Sequence, residues 1–122
     1  LAQLVRMGFE TLVQAGCQPE VAHLEMRHVF EDVMDQMTEG QGNTSQDATA
    51  EYGSLLAGTR VIDGHVRAAM KAVLDDIGSG QFANRFRADQ DAGAPELVQL
   101  RAEHASHQLV STDERMRPRP GR

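Results

Sequence analysis

Five of the 122 residues are histidines, and the run His23-Leu24-Glu25-Met26-Arg27-His28 sets two of them around a glutamate. A helix that holds zinc through paired histidines puts them one turn apart, so that both face the ion. His23 and His28 are five apart, roughly 500° of helical rotation, so they diverge by about 140°. A shared zinc is not expected there. His104 and His107 are three apart and could touch one ion, but no third ligand lies nearby, and exposed helix histidines are expected instead. Cys17 is the sole cysteine, which excludes an internal disulfide and a cysteine-based zinc site. It reads as a small, buried or half-buried hydrophobe. Ser45 and Ser54 have no base at a recognisable spacing. Gly40-Gln41-Gly42 is too short for a phosphate-cradling loop, and no strand precedes it.

The acids of the same region are more informative. Glu20, Glu25, Glu31, Asp32, Asp35 and Glu39 lie along one predicted helix, most of them on its wet face. Glu25 differs, because Leu24 and Met26 flank it in a segment that is apolar on several sides. Such a carboxylate sits at the margin of a core or is aimed into a site. Alone it makes a poor magnesium site, since Mg²⁺ takes several oxygen ligands.

The elements that must position these groups are helical. Leu1, Leu4, Val5, Gly8, Leu12 and Val13 make one stripe, which ends at Ala15-Gly16, with Gly16 suited to the C′ position. Pro19 opens a second helix that runs to about Met37. Its apolar positions spread over more than one stripe, which predicts contact from two sides, partly by a second chain. Residues 38–48 read as a loop. A short helix over about Ala50–Leu56, closed by Gly58, follows. Asp63 is a natural N-cap for a helix with the stripe Val66, Met70, Val73, Leu74 and Ile77, stopped at Gly78-Ser79-Gly80. Phe82 and Phe86 mark another short helix, and Pro95 to about His107 a last one. No strand alternation is visible. The expectation is an all-α fold of about six helices, with one helical domain over 1–110 and a disordered tail over 111–122 rich in arginine and proline.

Composition bounds the partners. Hydrophobic residues are 40% and charged residues 25%, the balance of a globular domain, and a domain this small gains from oligomerising. Twelve Lys+Arg against eighteen Asp+Glu give a net charge of −6, which argues against nucleic acid and anionic membranes. No apolar run reaches the roughly 18 residues of a membrane span, and no signal peptide is visible, so a reducing cytoplasm is the default. A helical pattern is already running at Leu1, which reads as a piece of a longer polypeptide.

Several segments together resemble the C-terminal knotted domain of ketol-acid reductoisomerase (acetohydroxyacid isomeroreductase). They are Gly8-Phe9-Glu10-Thr11-Leu12-Val13, Gln18-Pro19-Glu20, Leu24-Glu25, Thr49-Ala50-Glu51-Tyr52-Gly53, Arg60-Val61-Ile62-Asp63, Ser79-Gly80-Gln81-Phe82-Ala83 and Ala102-Glu103-His104, in the same order from Leu1 to about Met116. The resemblance implies a helical domain like the C-terminal domain of 6-phosphogluconate dehydrogenase, from a two-domain enzyme whose N-terminal Rossmann domain, absent here, binds NADPH. It implies conversion of 2-acetolactate to 2,3-dihydroxyisovalerate in branched-chain amino-acid biosynthesis. It also implies two Mg²⁺ ions as Lewis acids, shared with the missing domain, and a homodimer through the helical domain.

Carried over residue by residue, Glu25 matches the first carboxylate of the family's Glu-x-x-x-Glu, a spacing that puts both about 6 Å apart along one helix face. Glu25 is thus the implied metal and catalytic residue. The second carboxylate falls on Val29, which cannot ligate; His28 keeps the histidine before it. Counting back from Thr49 puts Asp47 at the family's substrate serine and Ser45 at a neighbouring one, in a loop about three residues shorter. The family's earlier acidic pair would precede Leu1. The 122 residues alone are therefore expected to be inactive. Two other readings stand beside this one: a helical dimerisation module of the same ancestry that has lost catalysis, and an unrelated all-α interaction protein.

Overall fold

A computed structural model describes residues 1–39, 48–118 and 121. Among them are seven helices and no strand: α1 (Ala2–Gln14), α2 (Pro19–Glu39), α3 (Ala48–Val61), α4 (Gly64–Gly78), α5 (Gln81–Asp91), α6 (Pro95–Ala105) and α7 (Gln108–Met116). The helices form two compact units. One contains α1, α2, the C-terminal part of α6 and α7; the other contains α3, α4, α5 and the start of α6.

In the first unit α1 and α2 form an antiparallel hairpin. Gly16 turns the chain with a φ of +102°, a conformation that a side chain would strain. The Cys17 N–H then bonds to the Leu12 carbonyl at 3.0 Å and the Gly16 N–H to Val13 at 3.0 Å, the paired bonds of a Schellman cap. Gly8 leaves room for the end of the Met26 side chain of α2, whose methyl would lie 2.6 Å from a β-carbon there. Phe9 and Ala22 are the fully buried apolar residues among those described. The Phe9 ring tilts against His107 with centroids 6.2 Å apart.

α7 packs on the other side of α2. This corrects two expectations. The helix count is seven rather than about six, and residues 111–116 are helical rather than a disordered tail. The reason is amphipathic: Thr112 is fully buried, while Asp113 and Arg115 reach back to α2. Arg115, one of the arginines that suggested a solvated tail, ties the helix to Glu20 of α2. α2 thus has two neighbours, and α7 meets it through the polar residues Glu20 and His23. Even so, Phe30, Val33 and Met34 stay exposed, at 39%, 45% and 42%.

In the second unit, Asp63 caps α4 as expected, its carboxylate accepting the His65 N–H at 3.0 Å. α3 is longer than predicted: it runs through Gly58 to Val61, and the Gly58 carbonyl accepts the Ile62 N–H at 2.8 Å. The apolar positions Tyr52, Leu55, Leu56 and Ile62 keep a helical period across the glycine, which therefore does not end the helix. Between α5 and α6, Ala94 adopts a φ of +60°. Asp89 holds that turn. Its carboxylate accepts the Glu96 N–H at 2.7 Å and the Leu97 N–H at 3.2 Å, so it satisfies the free amides of α6 from outside the helix. No described helix is long and apolar enough to cross a membrane.

Candidate functional site

Glu25 lies in the first half of α2 with its side chain exposed. One turn further along is Val29, 56% exposed, so this stretch of helix offers one carboxylate and one isopropyl group to solvent. Glu25 makes no hydrogen bond or ion pair among the described residues. Its surroundings are well fixed nonetheless. Glu20, in the first turn of α2, receives Arg115 of α7 at 3.2 Å. Its carboxyl is held below the usual range, first by the free backbone amides of the helix start and then by Arg115.

His23, only 11% exposed in its side chain, places Nε2 3.0 Å from Asp113 of α7. Asp113 also receives Arg117, at 2.6 Å. Its carboxyl is held below the ordinary value, first by the Arg117 hydrogen bond and then by His23. On the other flank, Arg27 donates to Glu31 at 2.7 Å, which lowers the Glu31 carboxyl and raises the guanidinium. The α2 segment around Glu25 is thus braced by α7 and by its own ion pair.

An open groove of about 570 Å³ runs beside this segment, with Val5, Met26, Phe30 and Leu109 among its apolar lining. His23 lines it too, and its Nδ1 is buried without a partner among the described residues. That nitrogen is the one orphaned polar atom of the braced segment, and an unmatched buried acceptor carries a desolvation cost.

The other sequence candidates fall out differently. His23 and His28 do diverge: His23 meets α7 and His28 is exposed. His104 receives Arg6, and His107 is bound by Glu10 and by the start of α7, so this pair shares no ion. His107, 17% exposed, is not the exposed histidine that its spacing suggested. The Ser54 hydroxyl is spent on the Glu51 carbonyl at 3.1 Å. Ser45 and Asp47 lie outside the described residues. Among the described residues no group of three His, Cys, Asp or Glu side chains could hold a metal ion. The donors present therefore do not fit a magnesium centre by themselves: Glu25 stands alone, and one carboxylate leaves most of an octahedral shell empty. Sequence reasoning missed the parts played by Asp89, His107 and Asp113. Two of them act on partners 90 or more positions away, and no local pattern reports that.

The comparisons agree with this architecture. Residues 1–120 match the family model described as the ketol-acid reductoisomerase C-terminal domain. A ketol-acid reductoisomerase (NADP(+)) of Tropheryma whipplei is 48% identical over 120 residues, which cover 96% of this chain and 36% of that enzyme. The corresponding enzyme of Leifsonia xyli is also 48% identical, over 96% of this chain and 35% of its own length. The chain thus spans just over a third of the curated relatives it matches. Among solved structures, an NADH-preferring ketol-acid reductoisomerase from an uncultured archean superposes with a TM-score of 0.87 and 31% identity, over 94% of this chain and 36% of that one. Matched over residues 1–120, the chain belongs to the ketol-acid reductoisomerase C-terminal domain family.

Proposed function

We propose that this chain works as the helical C-terminal domain of an NADP-dependent ketol-acid reductoisomerase. The whole enzyme would convert 2-acetolactate to 2,3-dihydroxyisovalerate. The observation that carries this reading is the match over residues 1–120, together with Glu25 held at an exposed position of α2 and free of any internal ion pair among the described residues. Glu25 then serves, among the described residues, as the carboxylate offered to a divalent metal. The remaining ligands and the nucleotide site come from the rest of the enzyme. Two Mg²⁺ ions, when bound, supply Lewis-acid polarisation of the ketol oxygens. NADPH is favoured over NADH because the more similar relatives, at 48% identity, carry NADP(+) in their names, whereas the NADH-preferring structure is 31% identical.

The chain also serves as a dimer surface. Val33 and Met34 of α2 and Met70, Leu74 and Ile77 of α4 are all more than two-fifths exposed, and such apolar stripes mark association sites. A catalytically silent dimerisation module is the second reading. It is favoured by Val29, where a second carboxylate would be needed one turn from Glu25. The test is a chimera in which this chain replaces the matching C-terminal third of the Tropheryma whipplei enzyme, assayed for NADPH oxidation with 2-acetolactate and Mg²⁺. Turnover supports the first reading. A folded, dimeric chimera with no turnover supports the second.

A further inference from the structure

We propose that His107 is a proton-operated cap for α7. The residue sits at the N-cap position with φ −68° and ψ 137°, and its Nδ1 accepts the Leu109 N–H at 3.1 Å. Its Nε2 lies 2.8 Å from the Glu10 carboxylate of α1. A nitrogen that accepts carries no proton, so the ring is neutral, protonated at Nε2, and donates to Glu10. Both ring nitrogens are therefore assigned by their partners.

Adding a proton changes one of these bonds and keeps the other. The Nε2–H still donates to Glu10, now as part of an ion pair. Nδ1 becomes a donor facing the Leu109 N–H, and two donors cannot bond. The cap is lost while the backbone bonds from Val110 and Ser111 to the His107 carbonyl, at 3.0 and 3.4 Å, have no reason to break. The neighbouring helices carry Arg6 and Glu10 on α1, His23 on α2, and Glu103 and His104 on α6. Of the described carboxylates only Glu10 bonds to the ring. Arg6 is spent on His104, whose carbonyl accepts the His107 N–H at 3.3 Å. Protonation therefore leaves His107 tethered to α1 but strips the Leu109 N–H at the start of α7 of its acceptor. α7 carries Asp113 and Arg115 to α2, so the cap tunes how firmly that half of α2 is braced, whatever chemistry Glu25 performs.

The test is NMR on the ¹⁵N-labelled chain in the assembly it forms, at about pH 7.5 and about pH 5, either side of the ordinary histidine range. The expected result is the Nε2–H tautomer at the higher pH. Leu109 amide exchange, corrected for its intrinsic rate, should be about fivefold faster at the lower pH, the loss expected for one cap. His107→Asn keeps an acceptor without a titration, so Leu109 stays protected at both pH values. An Nδ1–H tautomer, a Leu109 amide indifferent to pH, or an unchanged step in His107→Asn would overturn the proposal.

Discussion

At position 29 a valine stands one helical turn from Glu25, and the chemistry open to this face of α2 turns on that pair. One carboxylate at the surface of a helix is an incomplete ligand set, so Glu25 acts only when other oxygens are brought to it. A different residue shows where the fold carries strain. Ala94 at φ +60° lies in a region that costs a non-glycine residue about 1–2 kcal/mol. Ala94→Gly should stabilise the chain by a net ~0.5 kcal/mol, after the extra freedom that glycine gives the unfolded state is subtracted. Urea unfolding would show this as a higher midpoint at unchanged slope. Residues that act locally were legible in the sequence. Gly16 ends α1 and Asp63 caps α4 through contacts a few positions away, which propensity rules encode. The role proposed for Glu25 rests on the resemblance and not on any local pattern. Asp89, His107 and Asp113 were not legible, because each meets a partner on another helix.

Among the elements, α7 departs most from what its residue types suggest. Its arginines and polar residues look like a solvated tail, but Arg115, Arg117 and Asp113 form ion pairs, and Thr112 is buried. Periodicity alone cannot separate a polar helix that docks through such pairs from one that frays. The same pairs predict an acid response. Asp113 and Glu20 both have carboxyls held below their ordinary values in the folded chain. Their contribution is thus fully present above the unfolded-state value of about 4 and is lost as pH falls through the lower folded values. Acid titration followed by hydrogen exchange should release α7 below about pH 4 while α4 keeps its protection. Asp113→Asn should weaken α7 at neutral pH and remove much of that acid sensitivity. The α3 boundary makes a related point. Gly58 was read as a stop, yet a glycine inside a helix is only a cost of roughly 1 kcal/mol, and α3 runs through it to Val61.

For the molecule as a whole, the all-α class was legible because helical spacing runs through nearly every segment. How apolar residues divide between core and interface was not, because both kinds of surface have the same periodicity. Phe9 and Ala22 are buried apolar residues, while Leu55, Leu74 and Phe82 remain more than half exposed. So much exposed apolar side chain predicts association, and two copies related by a two-fold axis are the simplest closed form. Sedimentation at micromolar concentration should give a dimer or larger species; a well-folded monomer would contradict that. The claim on which the functional account rests is that Glu25 belongs to a metal site completed by the rest of the enzyme. Its most direct measurement is the initial rate of 2-acetolactate-dependent NADPH oxidation by the Tropheryma whipplei chimera with Glu25→Gln, beside the unsubstituted chimera at saturating Mg²⁺. Losing a direct ligand should cost at least about 100-fold, the upper end of what outer partners of a metal site cost. Equal, measurable rates in the two proteins would contradict the account.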